Sequence, residues 1–391
     1  MTRITRRTLL SLVALVGLSG AAAAAGVTNT EIVLGMHIDL SGPAAAGMPA
    51  LRNGTQMRLD EANEAGGING RRFKLIVEDN ASQPQQAVRA IDKLIRNDEV
   101  FAIINPFGSG TNAAVVKRAV DAGVLYYAPW AASGVLRRIS GNSPLLFTTI
   151  PNYDTTTRTG LAWMIDEYKP QRIGFIYQEG PLGDLVRAGV QGALDAKNLK
   201  LAAEAAYKVG DIDFSSQVAR MKAADTDLIV IATVIRETIC IPAEVKKLGL
   251  SNVKVLTAVP GRTTIVAQLG KDAVEGLYGI GGWKVWAVGQ EPAEVKSWMA
   301  NYKRRFNLDA DENAMLAYAY ADMFVKGVIA TGRDLNAEKL AKALGDASYA
   351  SPVYYDQKKF NGGHLEPETV QIDQLKGGVW TPVSREIVPG R

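Results

Sequence analysis

The feature that most limits what this chain can fold into is an alternation. Short apolar runs give way, again and again, to stretches with helical spacing. Val100–Asn105 and Leu228–Val234 are almost continuously apolar. Such runs suit parallel strands covered on both faces, because a strand with one wet face alternates in polarity. Repeated strand–helix units require right-handed crossovers and predict a doubly wound sheet.

A first series runs Ile32–Leu40, Phe73–Glu78, Val100–Asn105 and Val124–Ala128 as strands. Helices are expected near Leu51–Ala65, Gln85–Asn97 and Thr111–Ala122 between them. The Gly66-Gly67 pair stops the first helix. A second series has strands at Arg172–Tyr177, Lys200–Tyr207, Leu228–Val234 and Val253–Val259. Its helices fall at Leu182–Ala196, Phe214–Ala224 and Ile241–Leu248. The break between the series lies near residues 145–155. The predicted fold is therefore α/β, with two doubly wound Rossmann-like lobes. Helices follow at Glu291–Phe306, Ala314–Thr331 and Leu335–Leu344, the last with Asn336 as its cap. Tyr354–Val383 reads as short antiparallel strands turning at Gly362-Gly363 and Gly377-Gly378.

The amino terminus is organised differently. Arg3, Arg6 and Arg7 precede an apolar run from Leu9 to Leu18, then small residues with an Ala23-x-Ala25 site. That order is a secretory signal, and the run is too short to span a bilayer comfortably. Cleavage after residue 25 and a periplasmic destination are expected. The Arg6-Arg7 pair fits either the general or the twin-arginine export route. The chain carries 44 Lys+Arg against 40 Asp+Glu, a formal +4. The signal holds three of the arginines, so the mature chain has 41 basic residues and a net charge of +1. No nucleic-acid partner is expected from that balance.

One cysteine, Cys240, and two histidines, His37 and His364, make Cys/His metal sites and His-dependent catalysis poor expectations. No cofactor is predicted. His37 sits within the first strand, where a core or cleft-edge side chain is the default. His364 sits in a Gly-rich turn, where exposure is the default. Gly108-Ser109-Gly110-Thr111-Asn112-Ala113 matches a G-x-G-x-x-A pattern between a strand and a helix. It does not open the first strand–helix unit, and about 20 residues on stands Pro129-Trp130 where an acidic ribose contact is expected. A small anion site at the helix amino terminus fits better than a nucleotide, and a plain helix cap by Ser109 or Thr111 fits equally. Residue 107 is Phe, so Ser109 lacks the G-x-S-x-G setting of a nucleophile.

Tyr127-Ala128-Pro129-Trp130-Ala131-Ala132-Ser133 forms a second turn after the next strand. In open α/β sheets ligands sit at strand carboxyl ends, so both turns are expected to share one cleft. Trp130 and Phe107 would supply aromatic walls. Arg236 and Arg262 each follow an apolar strand, where a guanidinium reaches either a ligand carboxylate or a structural acid.

Several segments resemble one family. They are Leu40-Ser41-Gly42-Pro43, Ala65-Gly66-Gly67-Ile68-Asn69-Gly70-Arg71, Glu78-Asp79, the Gly-Ser-Gly turn, Tyr127-Ala128-Pro129 and Ile150-Pro151. The chain resembles the periplasmic solute-binding proteins of ABC transporters, in the branched-chain amino-acid (leucine-binding) family. The likeness runs through the mature chain and weakens over its last third. It implies a type I periplasmic binding fold whose two lobes are joined by three crossings, here near 147–152, 275–284 and 347–353. Lobe I would take 26–147 and 285–347, lobe II 148–284 and 348–391. It also implies ligand capture between lobes that close by a hinge, in a monomer, with delivery to a membrane permease. Gly108, Ser109, Ala131, Ala132 and Ser133 would hold a ligand carboxylate. Tyr153 and Leu182 would complete the site.

The departures point away from ordinary aliphatic amino acids. Ala45-Ala46 replace the family's aromatic after Ser-Gly-Pro. No carboxylate follows Ala258-Val259-Pro260 to meet a ligand ammonium; Arg262 is the nearest charge. A buried ammonium without a counter-charge is costly. The expected ligand is an organic acid, with an aromatic carboxylate near Trp130 or Phe107 as one form. A sensory ligand-binding protein and a secreted α/β enzyme are the alternatives.

Overall fold

The computed structural model describes residues 24–286 and 289–390. The expected secretory signal lies almost wholly outside them. Among the described residues no helix is long and apolar enough to cross a membrane.

In lobe I the strands are β1 (Glu31–Ile38), β2 (Arg72–Asp79), β3 (Ala102–Ile104), β4 (Leu125–Tyr127) and β5 (Leu146–Phe147). They lie in the order β2-β1-β3-β4-β5, and every pair is parallel. Helices α1 (Met48–Glu64), α2 (Pro84–Arg96), α3 (Ser109–Asp121) and α4 (Ser133–Ile139) make the connections. Alternate residues of one strand feed opposite faces. Ile103 and Tyr126 pack with Leu94 and Val116 on one side, and Ile104 and Tyr127 with Leu59 and Phe324 on the other.

After α5 (Tyr153–Tyr168), lobe II repeats the winding. Its strands are β6 (Ile173–Gln178), β7 (Leu201–Tyr207), β8 (Leu228–Ala232), β9 (Lys254–Thr257) and β10 (Tyr278–Gly281). Their parallel order β7-β6-β8-β9-β10 reproduces that of lobe I. Helices α6 (Pro181–Ala196), α7 (Ser215–Ala223), α8 (Arg236–Lys247) and α9 (Thr264–Gly270) connect them. Proline at the first turn of α2 and α6 fits, since that N–H has no helical partner anyway.

The chain then returns to lobe I through α10 (Ala293–Phe306) and α11 (Glu312–Thr331), which pack on α1, and α12 (Ala337–Asp346). Asn336 caps α12, its side chain accepting from Lys339 N at 2.9 Å. Next come β11 (Ser348–Tyr349), β12 (Lys358–Asn361) and β13 (His364–Glu366), then β14 (Gln371–Lys376) and β15 (Val379–Pro382).

Two expectations need correction. Residues 348–366 do not belong with lobe II. Phe360 packs edge-on against Phe147, at 5.0 Å, and near Tyr127, both in the lobe I sheet. Only β14 and β15 join the lobe II sheet, so the third passage falls after Glu366 rather than at 347–353. The second passage needs no such change: β10 is still a member of the lobe II sheet, so the chain leaves it after Gly281, inside 275–284. His364 is buried rather than exposed. It meets Thr148 Oγ1 at 2.8 Å and Glu368 at 2.7 Å, while Glu368 accepts from the Asn152 N–H. These bonds strap the first and third passages together.

The segment Ile68–Arg71 shows why its sequence is so particular. Ile68 and Arg71 exchange both backbone hydrogen bonds, at 2.8 and 3.0 Å. Between them Asn69 and Gly70 have φ of 53° and 82°. Asn-Gly is the pair that accepts positive φ at both centres of a tight hairpin turn.

Candidate functional site

Both sheets place their switch points at the same cleft. In lobe I the winding reverses between β1 and β3, in lobe II between β6 and β8. Ligands of doubly wound sheets bind at such points. Here the loops after β1, β3, β4, β6, β8 and β9 all line one cavity of about 370 Å³ between the lobes. That volume lies within the range of small-molecule sites.

The lobe I wall is built from two matched turns. Asn105 and Ala128 end β3 and β4 with φ of 49° and 53°, and each precedes a proline and an aromatic residue. Trp130 N donates to Pro106 O at 2.8 Å, and Gly108 N donates to Trp130 O at 3.0 Å. Phe107 and Trp130 are thereby paired side by side in the cavity wall. Trp130 also meets Tyr320 edge-on at 5.9 Å. Positive φ at non-glycine residues costs free energy, and here it turns the chain sharply enough to present both rings.

Gly108 turns the chain into α3 with φ 102°. The first N–H groups of α3 have no partner within the helix, and Ser109, Gly110 and Thr111 all line the cavity. The helix dipole adds its positive end, so this wall favours an anion. Ser109 Oγ accepts from Ala132 N at 3.0 Å and pairs with the Tyr153 hydroxyl. Burial pushes the Tyr153 phenol up, and the Ser109 contact opposes it.

A buried chain of hydrogen bonds supports that turn. Asn80 Nδ2 donates to His37 Nδ1 at 3.1 Å, which makes Nε2 the protonated nitrogen, facing Tyr126 Oη at 2.7 Å. The Tyr126 hydroxyl then donates to Asn112 Oδ1, and Asn112 Nδ2 donates to Gly108 O at 2.7 Å. Burial lowers the His37 pKa to about 3. In the unfolded chain His37 takes a proton as pH falls through about 6.5. Between these values the unfolded chain binds more protons, so stability falls with falling pH, by up to about 1.4 kcal/mol per unit. This contribution is complete above pH 6.5. Urea titrations from pH 7 to 5 should show a steeper acid loss in the wild type than in His37→Gln. Equal slopes would mean that the imidazole is not held neutral.

The expected site residues divide. Phe107, Gly108, Ser109, Trp130, Tyr153 and Leu182 line the cavity. Ala131, Ala132 and Ser133 stand behind the wall: Ala132 holds Ser109, and Ser133 Oγ donates to Ile150 O at 2.6 Å. Neither arginine reaches the cavity. Arg236 is the first residue of α8, not a loop residue, and its Nη2 contacts Asp211 O and Glu237 Oε1 at 3.4 and 3.3 Å. Arg262 is 1% exposed, and its Nε donates to Asp373 Oδ2 at 2.6 Å with Nη2 on the same oxygen. A structural acid, Asp373, not a ligand, claims the Arg262 guanidinium.

Sequence reasoning missed Glu237, Thr263 and Trp283, which line the lobe II wall. Glu237, the second residue of α8, supplies the carboxylate whose absence after β9 was read from the sequence. Burial pushes its pKa up, while its own backbone N–H and Arg236 oppose the shift. The available signal was position: each residue stands just past an apolar strand.

Two lobes of one winding around a largely apolar cleft with an anion-favouring helix terminus define a small-molecule binding protein. The periplasmic binding protein family matches residues 31–369, and the chain belongs to that family, as a type I member of its branched-chain amino-acid group. It is 25% identical over 322 residues to a Leu/Ile/Val-binding protein of Rhizobium johnstonii, covering 82% of this chain and 85% of that one. Among solved structures, a Rhodopseudomonas palustris solute-binding protein in complex with benzoate aligns with a TM-score of 0.81. It is 18% identical and covers 92% of this chain and 97% of its own. The isoleucine complex of a branched-chain amino-acid binding protein from Streptococcus pneumoniae aligns at 0.77, with 21% identity, covering 90% and 99%.

Proposed function

We propose that this protein is the periplasmic substrate-binding component of an ABC importer, and that it captures a small carboxylate-bearing solute between its lobes. The observation that carries this reading is the meeting of the α3 amino terminus and Ser109 with the aromatic wall of Phe107 and Trp130 in one cavity. Helix N–H groups and a hydroxyl suit a carboxylate, and the rings suit a flat or apolar body. The favoured solute is an organic acid, aromatic acids included, with an amino acid-like solute whose ammonium would meet Glu237 as the second reading; relatives named for branched-chain amino acids and a fold neighbour holding benzoate bracket the choice.

Release to a membrane permease requires the lobes to part. Glu312 of α11 accepts from both Thr264 N, at 2.7 Å, and Thr264 Oγ1 at the start of α9. Opening must break that interlobe contact.

Thermal-shift screening of the mature protein should show stabilisation by one or more organic acids. Half-saturation of a tight ligand raises stability little, whereas 100 times its Kd adds about 2.7 kcal/mol. Stabilisation by leucine or valine alone would overturn the organic-acid reading.

A further inference from the structure

The lobe II wall carries polar groups that the carboxylate reading leaves unused. Glu237, Thr263 and Trp283 stand just past the carboxyl ends of β8, β9 and β10, which are neighbours in the sheet. All three line the cavity and all are more than nine-tenths buried. Among the described residues, Trp283 Nε1 and Thr263 Oγ1 have no hydrogen-bond partner. Glu237 has only its 3.3 Å contact with Arg236 among side chains.

The backbones that carry them are fixed. Thr263 O accepts from Trp380 Nε1 at 2.9 Å, and Trp283 O accepts from the Tyr355 hydroxyl at 2.8 Å. An unpartnered buried polar atom destabilises the folded chain, so it calls for an explanation. Here the two orphans and a carboxylate share one wall, across the cleft from α3.

Their chemistry selects the missing group. Trp283 donates only, ionised Glu237 accepts only, and Thr263 does either. An ammonium cannot accept from the indole, and a carbonyl cannot donate to the carboxylate. A hydroxyl does both. We infer that Glu237, Thr263 and Trp283 form a second polar subsite for a hydroxyl group remote from the ligand's carboxylate. The favoured solutes are then small hydroxylated carboxylic acids. This inference rests on the proposed binding function and narrows it.

Calorimetric titration with matched pairs tests it: benzoate against 3- and 4-hydroxybenzoate, and hexanoate against 6-hydroxyhexanoate. In the wild type at least one hydroxylated acid should bind tenfold or more tightly than its parent. Thr263→Val and, independently, Trp283→Phe should shrink that ratio to threefold or less, by weakening the hydroxylated acid more than its parent. Thr263→Val should also keep or raise the thermal midpoint, because it removes an unpaired hydroxyl. Acids that bind with no hydroxyl preference, or with one that both variants retain, would overturn the subsite and leave the carboxylate reading standing. Binding of none of these acids would overturn the organic-acid reading, and the subsite with it.

Discussion

Replacing Arg262 with methionine should destabilise the protein by about 3–5 kcal/mol, the cost of leaving a buried charge without its partner. Arg262 and Asp373 are both essentially inaccessible to solvent, on the turn after β9 and on β14. Burial pushes the Asp373 carboxyl up, and the guanidinium opposes it. The geometry leaves no substitute: both donors converge on Oδ2, and Oδ1 has no partner among the described residues. Once the guanidinium is gone, Asp373 must stay charged in an apolar site or take a proton. The variant should therefore be relatively more stable in mild acid than at neutral pH. Arg262→Met combined with Asp373→Leu should recover most of the loss, since apolar replacement of both members of such a pair is often neutral. Urea denaturation of the two variants checks this. A wild-type midpoint for Arg262→Met would refute the structural role. Lost binding with intact stability would favour the other alternative open in the sequence, a direct ligand contact.

Gly108→Ala should weaken binding of the best organic acid by about 30-fold or more, equivalent to roughly 2 kcal/mol. Gly108 has φ 102° and ψ 127°, a region costing about 1–3 kcal/mol for residues with a side chain. An added Cβ would also meet the Thr111 hydroxyl. That hydroxyl donates to Phe107 O at 2.7 Å and Gly108 O at 2.9 Å, so it cannot yield without disturbing the turn. Any relief moves Ser109 and the α3 N–H groups together, and they are the anion-favouring part of the wall. Gly345→Ala is the control: it lies on α12 with open space around the added carbon, and should bind as the wild type does. Unchanged affinity in Gly108→Ala would mean that the ligand does not use this turn.

The lobe I half of the site was legible because its signals are local. Gly108, Ser109 and Trp130 lie within a few residues of apolar strands, and a strand end followed by Pro, an aromatic and a small residue reads as a cleft turn. Leu182 and Tyr153 came from resemblance and also line the cavity. The arginines stayed open between ligand and structural acid for a general reason. Standing past a strand places a long side chain near the cleft, but its direction depends on which acid it meets. Asp373 is 111 residues away in sequence from Arg262, and nothing in either segment announces the pairing. Glu237 was passed over because the helix was expected to begin at Ile241. It begins at Arg236, and that earlier start turns Glu237 into the wall.

Periodicity and strand apolarity by themselves determined the α/β class, the two windings and the turns that face the cleft. These follow from interactions over a few residues, which any fold of this chain must respect. Only the tertiary structure decided the rest. It set the last passage between lobes after Glu366, since Phe360 finds its aromatic partners in lobe I. It paired Arg262 with Asp373, and it brought Glu237, Thr263 and Trp283 onto one wall. Those outcomes depend on groups distant in sequence competing for the same few buried contacts, and that competition is resolved only when the sheets are packed.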